Sequence, residues 1–155
     1  MKNKIALLIL LIFAVLQLFT IDKIPYEAAN EYDLFATEPA SEEINKLIHT
    51  ACYNCHSNQI DYPWYTNVAP LSWWIQDHIE EGREHLNFSQ WNAYSNEKKA
   101  HKAEEAYEEL EEKEMPLESY TFIHGDARLS NEQRKLLEDW FRIIEEKYKR
   151  FPGNG

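Results

Sequence analysis

Glycine is scarce in this chain, with four in 155 residues, and no stretch alternates apolar and polar residues for long. Both features argue against a turn-dense β fold. Basic residues are in deficit too, with 16 Lys and Arg against 27 Asp and Glu, a formal net charge of -11. Phosphate backbones are bound through clustered cations that release counterions, so nucleic acid is disfavoured and a basic protein partner is easier to accommodate. Cysteine is confined to Cys52 and Cys55, with no thiol left over elsewhere. Beyond the initiator, Met115 is the only methionine.

What is present begins with a long apolar run. Residues 1–23 place Lys2 and Lys4 ahead of residues 5–21, interrupted only by Gln17. The run exceeds the ~7–15 residues of a cleavable signal core and approaches the ~17–25 of a bilayer span. It predicts an export signal retained as a single-pass transmembrane anchor, with the remainder on the periplasmic side of the inner membrane. No small-residue cleavage site follows closely, and the first cysteine lies too far on to be a lipidated terminus. Residues 24–40 mix Pro, acidic and scattered apolar residues without period and read as a tether.

Residues 41–150 read as one all-α domain. Ser41, followed by Glu42 and Glu43, is a good N-cap, and Ile44, Leu47, Ile48, Ala51 and Cys55 repeat at helical spacing, predicting a helix over 41–54. Residues 57–69 read as an irregular loop around Pro63. Pro70 can open a helix to about Leu86, with Leu71, Trp74, Ile75, His78, Ile79 and Gly82 on one face. Residues 96–114 form an acidic surface helix with the stripe Ala100, Ala103, Tyr107 and Leu110. Ser130 and Gln133 make a capping box for a last helix whose core face is Leu136, Leu137, Trp140, Phe141, Ile144 and Tyr148, closed by Pro152 and Gly153.

The chemistry concentrates at Cys52-Tyr53-Asn54-Cys55-His56, which matches the haem-attachment signature. Two thiols at this spacing can add across the two vinyl groups of one porphyrin edge, and the adjacent imidazole then reaches the iron, which makes His56 the proximal ligand of one covalent haem c. Three other uses of these residues compete. Zinc needs four ligands, and no second pair stands at finger spacing. A thioredoxin-type pair belongs at a helix start within a βαβ unit, whereas this pair ends a helix. A plain disulfide with an incidental His is compatible with an oxidising compartment.

For the other axial position Met115, stiffened by Pro116, is the leading candidate, because His/Met ligation raises the potential and suits electron transfer. His124, in a loop before the last helix, is the alternative; His78 reads as a core residue beside Trp74. His49 cannot cross to the far face, and His85 and His101 read as solvated. Trp64 and Trp74, with Tyr62 and Trp73 nearby, could wall the cofactor, and Arg83 could meet a propionate, with a surface pair to Glu80 as the ordinary alternative.

Several further motifs carry a resemblance: CYNCHSN at 52–58, YPWY at 62–65, APLSWW at 69–74, EGR at 81–83, LNFSQW at 86–91, MP at 115–116 and HGDARLS at 124–130. Over residues 44–145 the chain resembles a family of exported bacterial haem-binding domains, small c-type-cytochrome-like proteins with one attachment motif. The resemblance implies a helical cytochrome-like fold and carries over Cys52, Cys55 and His56. It departs at Gly125, where such proteins are expected to have Pro. The expected function is a membrane-tethered mono-haem electron carrier serving a redox partner, rather than an enzyme. A gas or redox sensor or peroxidase-like protein with an open distal site is the alternative, and a module whose haem only completes the core is the third.

Overall fold

The computed structural model describes residues 1–151. Among these, every regular element is helical. The α-helices are α1 (Lys2–Leu16), α2 (Leu34–Thr37), α3 (Glu42–Ala51), α4 (Tyr53–His56), α5 (Leu71–His85), α6 (Asn96–Glu111), α7 (Glu118–Ile123) and α8 (Asn131–Arg150), with 3-10 turns at Trp64–Asn67, Phe88–Ala93 and Gly125–Ala127. The expected closure of the last helix by Pro152 and Gly153 lies outside the described residues.

The pairing of α6 with α8 is the most extensive in the domain. Its reason is the stripe pattern: Ala100, Ala103, Tyr107 and Leu110 of α6 and Leu137, Trp140, Phe141, Ile144 and Tyr148 of α8 are all buried. Small residues on one helix opposite large rings on the other allow close approach, and each large side chain buried contributes about 2–3 kcal/mol. Ile44, Leu47, Ile48 and Ala51 of α3 join the same core. The caps expected from sequence are formed. Ser41 Oγ accepts the Ile44 N–H at 3.2 Å, and Ser130 and Gln133 exchange both bonds of a capping box.

Two expectations require correction. The apolar N-terminal run does not make a helix of spanning length. Helix α1 has 15 residues, about 22 Å at 1.5 Å per residue, against a hydrocarbon core of about 30 Å. Among the described residues no helix is long and apolar enough to cross a membrane. The helix stops where Gln17 turns to the domain: its Nε2 donates to Phe13 O and Ala69 O, both at 2.9 Å, and its Oε1 accepts the Ala69 N–H at 3.0 Å. None of the residues of α1 is buried.

The second correction concerns residues 24–40, which are not a free tether. The Glu27 N–H donates to Asn58 O at 2.9 Å, and Asp33, Leu34 and Glu38 are buried. Asp33 accepts from Tyr53 Oη at 2.9 Å, while Glu38 accepts from Trp91 Nε1, Tyr148 Oη and Lys147 Nζ. A buried carboxylate is tolerated only when its lone pairs are met in this way, and these partners hold the segment against α8 and the Phe88–Ala93 turn.

Candidate functional site

Helix α3 ends at Cys52, and the chain re-enters α4 at once, with the Cys55 and His56 N–H groups both donating to Cys52 O. This tight turn presents both sulfurs and the imidazole on one side. Helix α5 passes directly behind it at Gly82, where an added Cβ would stand 3.0 Å from Cys55 O and 3.3 Å from Cys55 Cβ. A side chain there would displace backbone, so the closeness of α4 and α5 depends on this glycine.

Cys52, Cys55 and His56 line a cavity of about 530 Å³, together with Leu86, Phe88, Leu110, Met115, Pro116, Tyr120 and Phe141 among others. The volume falls within the range of small-molecule and cofactor sites, roughly 300–1,000 Å³. His56 Nδ1 lies 3.0 Å from Leu86 O. As an N–H donor there, Nδ1 fixes the ring and the tautomer, leaving the Nε2 lone pair free as a ligand. Burial lowers the His56 pKa, against hydrogen bonds to the Leu86 and Gly82 carbonyls that raise it, so the ring is held neutral, as ligation requires.

Burial pushes the Cys52 thiol up to about 12, with the Cys55 charge adding to the effect, and pushes Cys55 up to about 11. Both are free thiols. Low-pKa thiolates mark redox-active pairs of thioredoxin type, and burial shifts both of these thiols in the opposite direction. Among the described residues no three His, Cys, Asp or Glu side chains converge as a metal-binding set, which leaves the zinc reading without a ligand shell. An apolar cavity with two thiols at one edge, a neutral imidazole with a free nitrogen and a thioether in its wall fits a haem.

Met115 reaches this cavity through the way α6 ends. Lys113 adopts a left-handed backbone, φ 65°, and its N–H donates to Leu110 O while the Glu114 N–H donates to Glu109 O at 3.0 Å. These two bonds make a Schellman ending that reverses the chain. Arg134 of α8 then donates to the carbonyls of Leu110 and Met115, tying the reversal to the core.

The other expected residues divide. His124 does not line this cavity. Its Nε2 is hydrogen-bonded to Tyr65 Oη and its ring stacks on Tyr120 at 4.4 Å, beside a smaller cavity of about 70 Å³. Trp74 borders that smaller space, 45% exposed and packed on His78 at 4.2 Å, and Trp64 is 78% exposed and lines neither cavity. Neither Trp walls the large cavity. Arg83 is also turned away: its Nη2 donates to Asn58 Oδ1 at 2.7 Å, within a polar cluster with Asn87 and Glu27, and it pairs neither with Glu80 nor with the cavity. His78 lines both cavities, and His85, though exposed, borders the large one. His49 packs against Tyr53 at 4.0 Å, apart from the site.

Sequence reasoning missed Lys102, a cation in the cavity wall, whose side chain is only 13% exposed and pairs with Glu105 at 2.6 Å. Its neighbours on the acidic helix concealed it. Phe88, Phe141 and Leu86 are further walls that sequence reasoning missed; the periodicity of α8 places Phe141 on the core face, and the structure shows it lining the cavity as well.

Residues 11–143, which contain every residue of this site, match the Haem-binding domain family. No curated protein and no solved structure matches the chain.

Proposed function

This chain belongs to the haem-binding domain family, and from that premise we propose that it is an exported mono-haem carrier of electrons with covalent c-type attachment and His56/Met115 ligation. The observation that carries the reading is the convergence of both thiols, the His56 imidazole and Met115 on one cavity of about 530 Å³.

Cys52 and Cys55 are suited to thioether formation, each S–H adding across one vinyl C=C, sulfur to one carbon and hydrogen to the other. Their raised pKa values keep them as neutral thiols until then. His56 offers Nε2 while Leu86 O holds its Nδ1–H. Met115 offers a thioether, a weak ligand that favours reduced iron, and the Lys113 reversal with Arg134 keeps it in place. Phe88, Leu110 and Phe141 exclude water, and Lys102 is the wall's cation for a propionate. Haem, once bound, supplies one-electron iron chemistry. No substrate pocket is required, and a basic redox partner suits the net charge of -11.

Export and membrane attachment are part of the same proposal. Beyond Lys4, helix α1 is apolar on every side and none of its residues is buried, which water penalises and lipid does not.

The test is chain purified from a host competent in cytochrome maturation. Pyridine-haemochrome absorbance and a porphyrin mass that survives denaturation are expected; absence of both ends the covalent reading. Low-spin iron with a sulfur-to-iron charge-transfer band is expected to lose that band in Met115→Ala. An unchanged low-spin spectrum would remove Met115 and promote His78, and high-spin iron that binds carbon monoxide in the wild type would favour a sensor or peroxidase-like role.

A further inference from the structure

Apolar side chains lie exposed on one region of the domain. Trp64, Leu71, Trp74, Phe122 and Ile123 are 78%, 37%, 45%, 83% and 54% exposed. They come from three separate segments, yet Leu71, Trp74 and Ile123 border the same small cavity, Trp64 packs edge-on against Tyr65 of its wall at 5.9 Å, and Phe122 adjoins Ile123. Scattered exposed rings need no explanation, but apolar side chains from three segments gathered about one opening mark a contact surface.

The occupant is indicated by what joins this region. The chain leaving α1 is fastened to it at four points: Gln17 to Ala69 by two hydrogen bonds, the Trp73 Nε1–H to Phe19 O at 2.9 Å, Lys23 Nζ to Asn67 Oδ1 at 2.8 Å, and the Ile24 N–H to Tyr62 Oη at 3.2 Å. Lys23 also lies over the Tyr62 ring at 5.1 Å. The chain leaving the exposed apolar helix is therefore bound to the same segments, residues 62–73, that carry Trp64 and Leu71, with Trp and Tyr at the junction and a Lys beside them. Amphipathic rings and snorkelling cations are the side chains that favour the boundary between headgroups and acyl chains.

We propose that this face of the domain rests in the interfacial layer of a lipid bilayer, with Trp64, Leu71, Trp74, Phe122 and Ile123 immersed, and that the Gln17 contacts set the stance. The inference rests on the membrane attachment proposed above and adds an orientation to it. Helix α5 runs from Leu71 on the immersed side, past His78, to His85 at the rim of the haem cavity, 15 residues with a rise of about 21 Å from first to last. Glu81, on the rim of that cavity, stands ten residues along α5 from Leu71, about 15 Å from the lipid end of the helix.

The test uses full-length haem-loaded chain with phosphatidylcholine vesicles, measuring flotation and amide hydrogen exchange together. Flotation with slowed exchange over residues 62–75 and 119–124 is expected. In Trp64→Asp/Phe122→Asp, flotation and haem absorbance should persist while that protection is lost; both side chains are largely exposed, so the fold does not depend on them. Flotation without protection in the wild type overturns the stance and leaves the membrane attachment standing. Failure to float overturns both. Protection that follows protein density rather than lipid would assign the face to a second copy of this chain and overturn the proposal.

Discussion

Gly82 shows how much can rest on a missing methyl. Gly82→Ala puts a Cβ against the Cys55 carbonyl at 3.0 Å, and because that neighbour is backbone, the α4 turn must move. The expected cost is about 1–3 kcal/mol, as for other overpacked sites, with a lower haem-to-protein ratio; thermal unfolding and haem quantification check both. Cys52, Cys55 and His56 were legible as a candidate site because the spacing that haem attachment requires is confined to five consecutive positions, and the structure brings all three to one cavity. Met115 stood out by scarcity. Trp64, Trp74 and Arg83 were not placed correctly, since aromatic content and charge say nothing about which side of a helix a loop will present. Arg83 found its partner in Asn58, 25 positions away, where no local pattern points.

At the level of elements, α3, α5, α6 and α8 were visible in the apolar periodicity and the caps to within a few residues. The short pieces α2 and α7 and the 3-10 turns were not, because one helical turn leaves no period to detect. The periodicity of α5 marks one apolar face, yet Leu71 and Trp74 on it are exposed and only Ile79 of that set is deeply buried. An amphipathic stripe records a surface kept from water, and here part of that surface borders the cavities. The ending of α6 makes its own prediction. Lys113 bears the cost of a left-handed backbone that glycine avoids, so Lys113→Gly should raise stability by about 1 kcal/mol in a denaturant titration while leaving the haem spectrum unchanged. On the proposed Met115 ligation, Arg134→Ala, by freeing the Met115 carbonyl, should weaken the sulfur-to-iron band without removing it.

For the molecule as a whole, stability should fall in acid for an identifiable reason. Burial alone would raise the pKa of Glu38, but hydrogen bonds from Lys147, Tyr148 and Trp91 outweigh it and bring the pKa below the ordinary value of 4.5. The unfolded chain therefore takes up this proton first. The contribution of Glu38 is complete above the ordinary carboxylate range and disappears as pH falls through the lower folded value. Glu38→Gln should cost about 2 kcal/mol at neutral pH, and the gap to wild type should close across that acid window in denaturant titrations at several pH values. This closure between residue 38 and residues 147–148 was hidden from sequence, because what looked like a tether carries the buried acid.

The Gln17 clasp bears on how such a protein would meet its partners. A globule on a slack leash sweeps a hemisphere and presents every side in turn. Under the membrane attachment proposed above, one fastened within a residue of its apolar stem would have little freedom to swivel, so its encounters with membrane-held collaborators would reduce to lateral diffusion in two dimensions at a fixed height and attitude, and selectivity would fall to whichever collaborator exposes its own redox centre at that height.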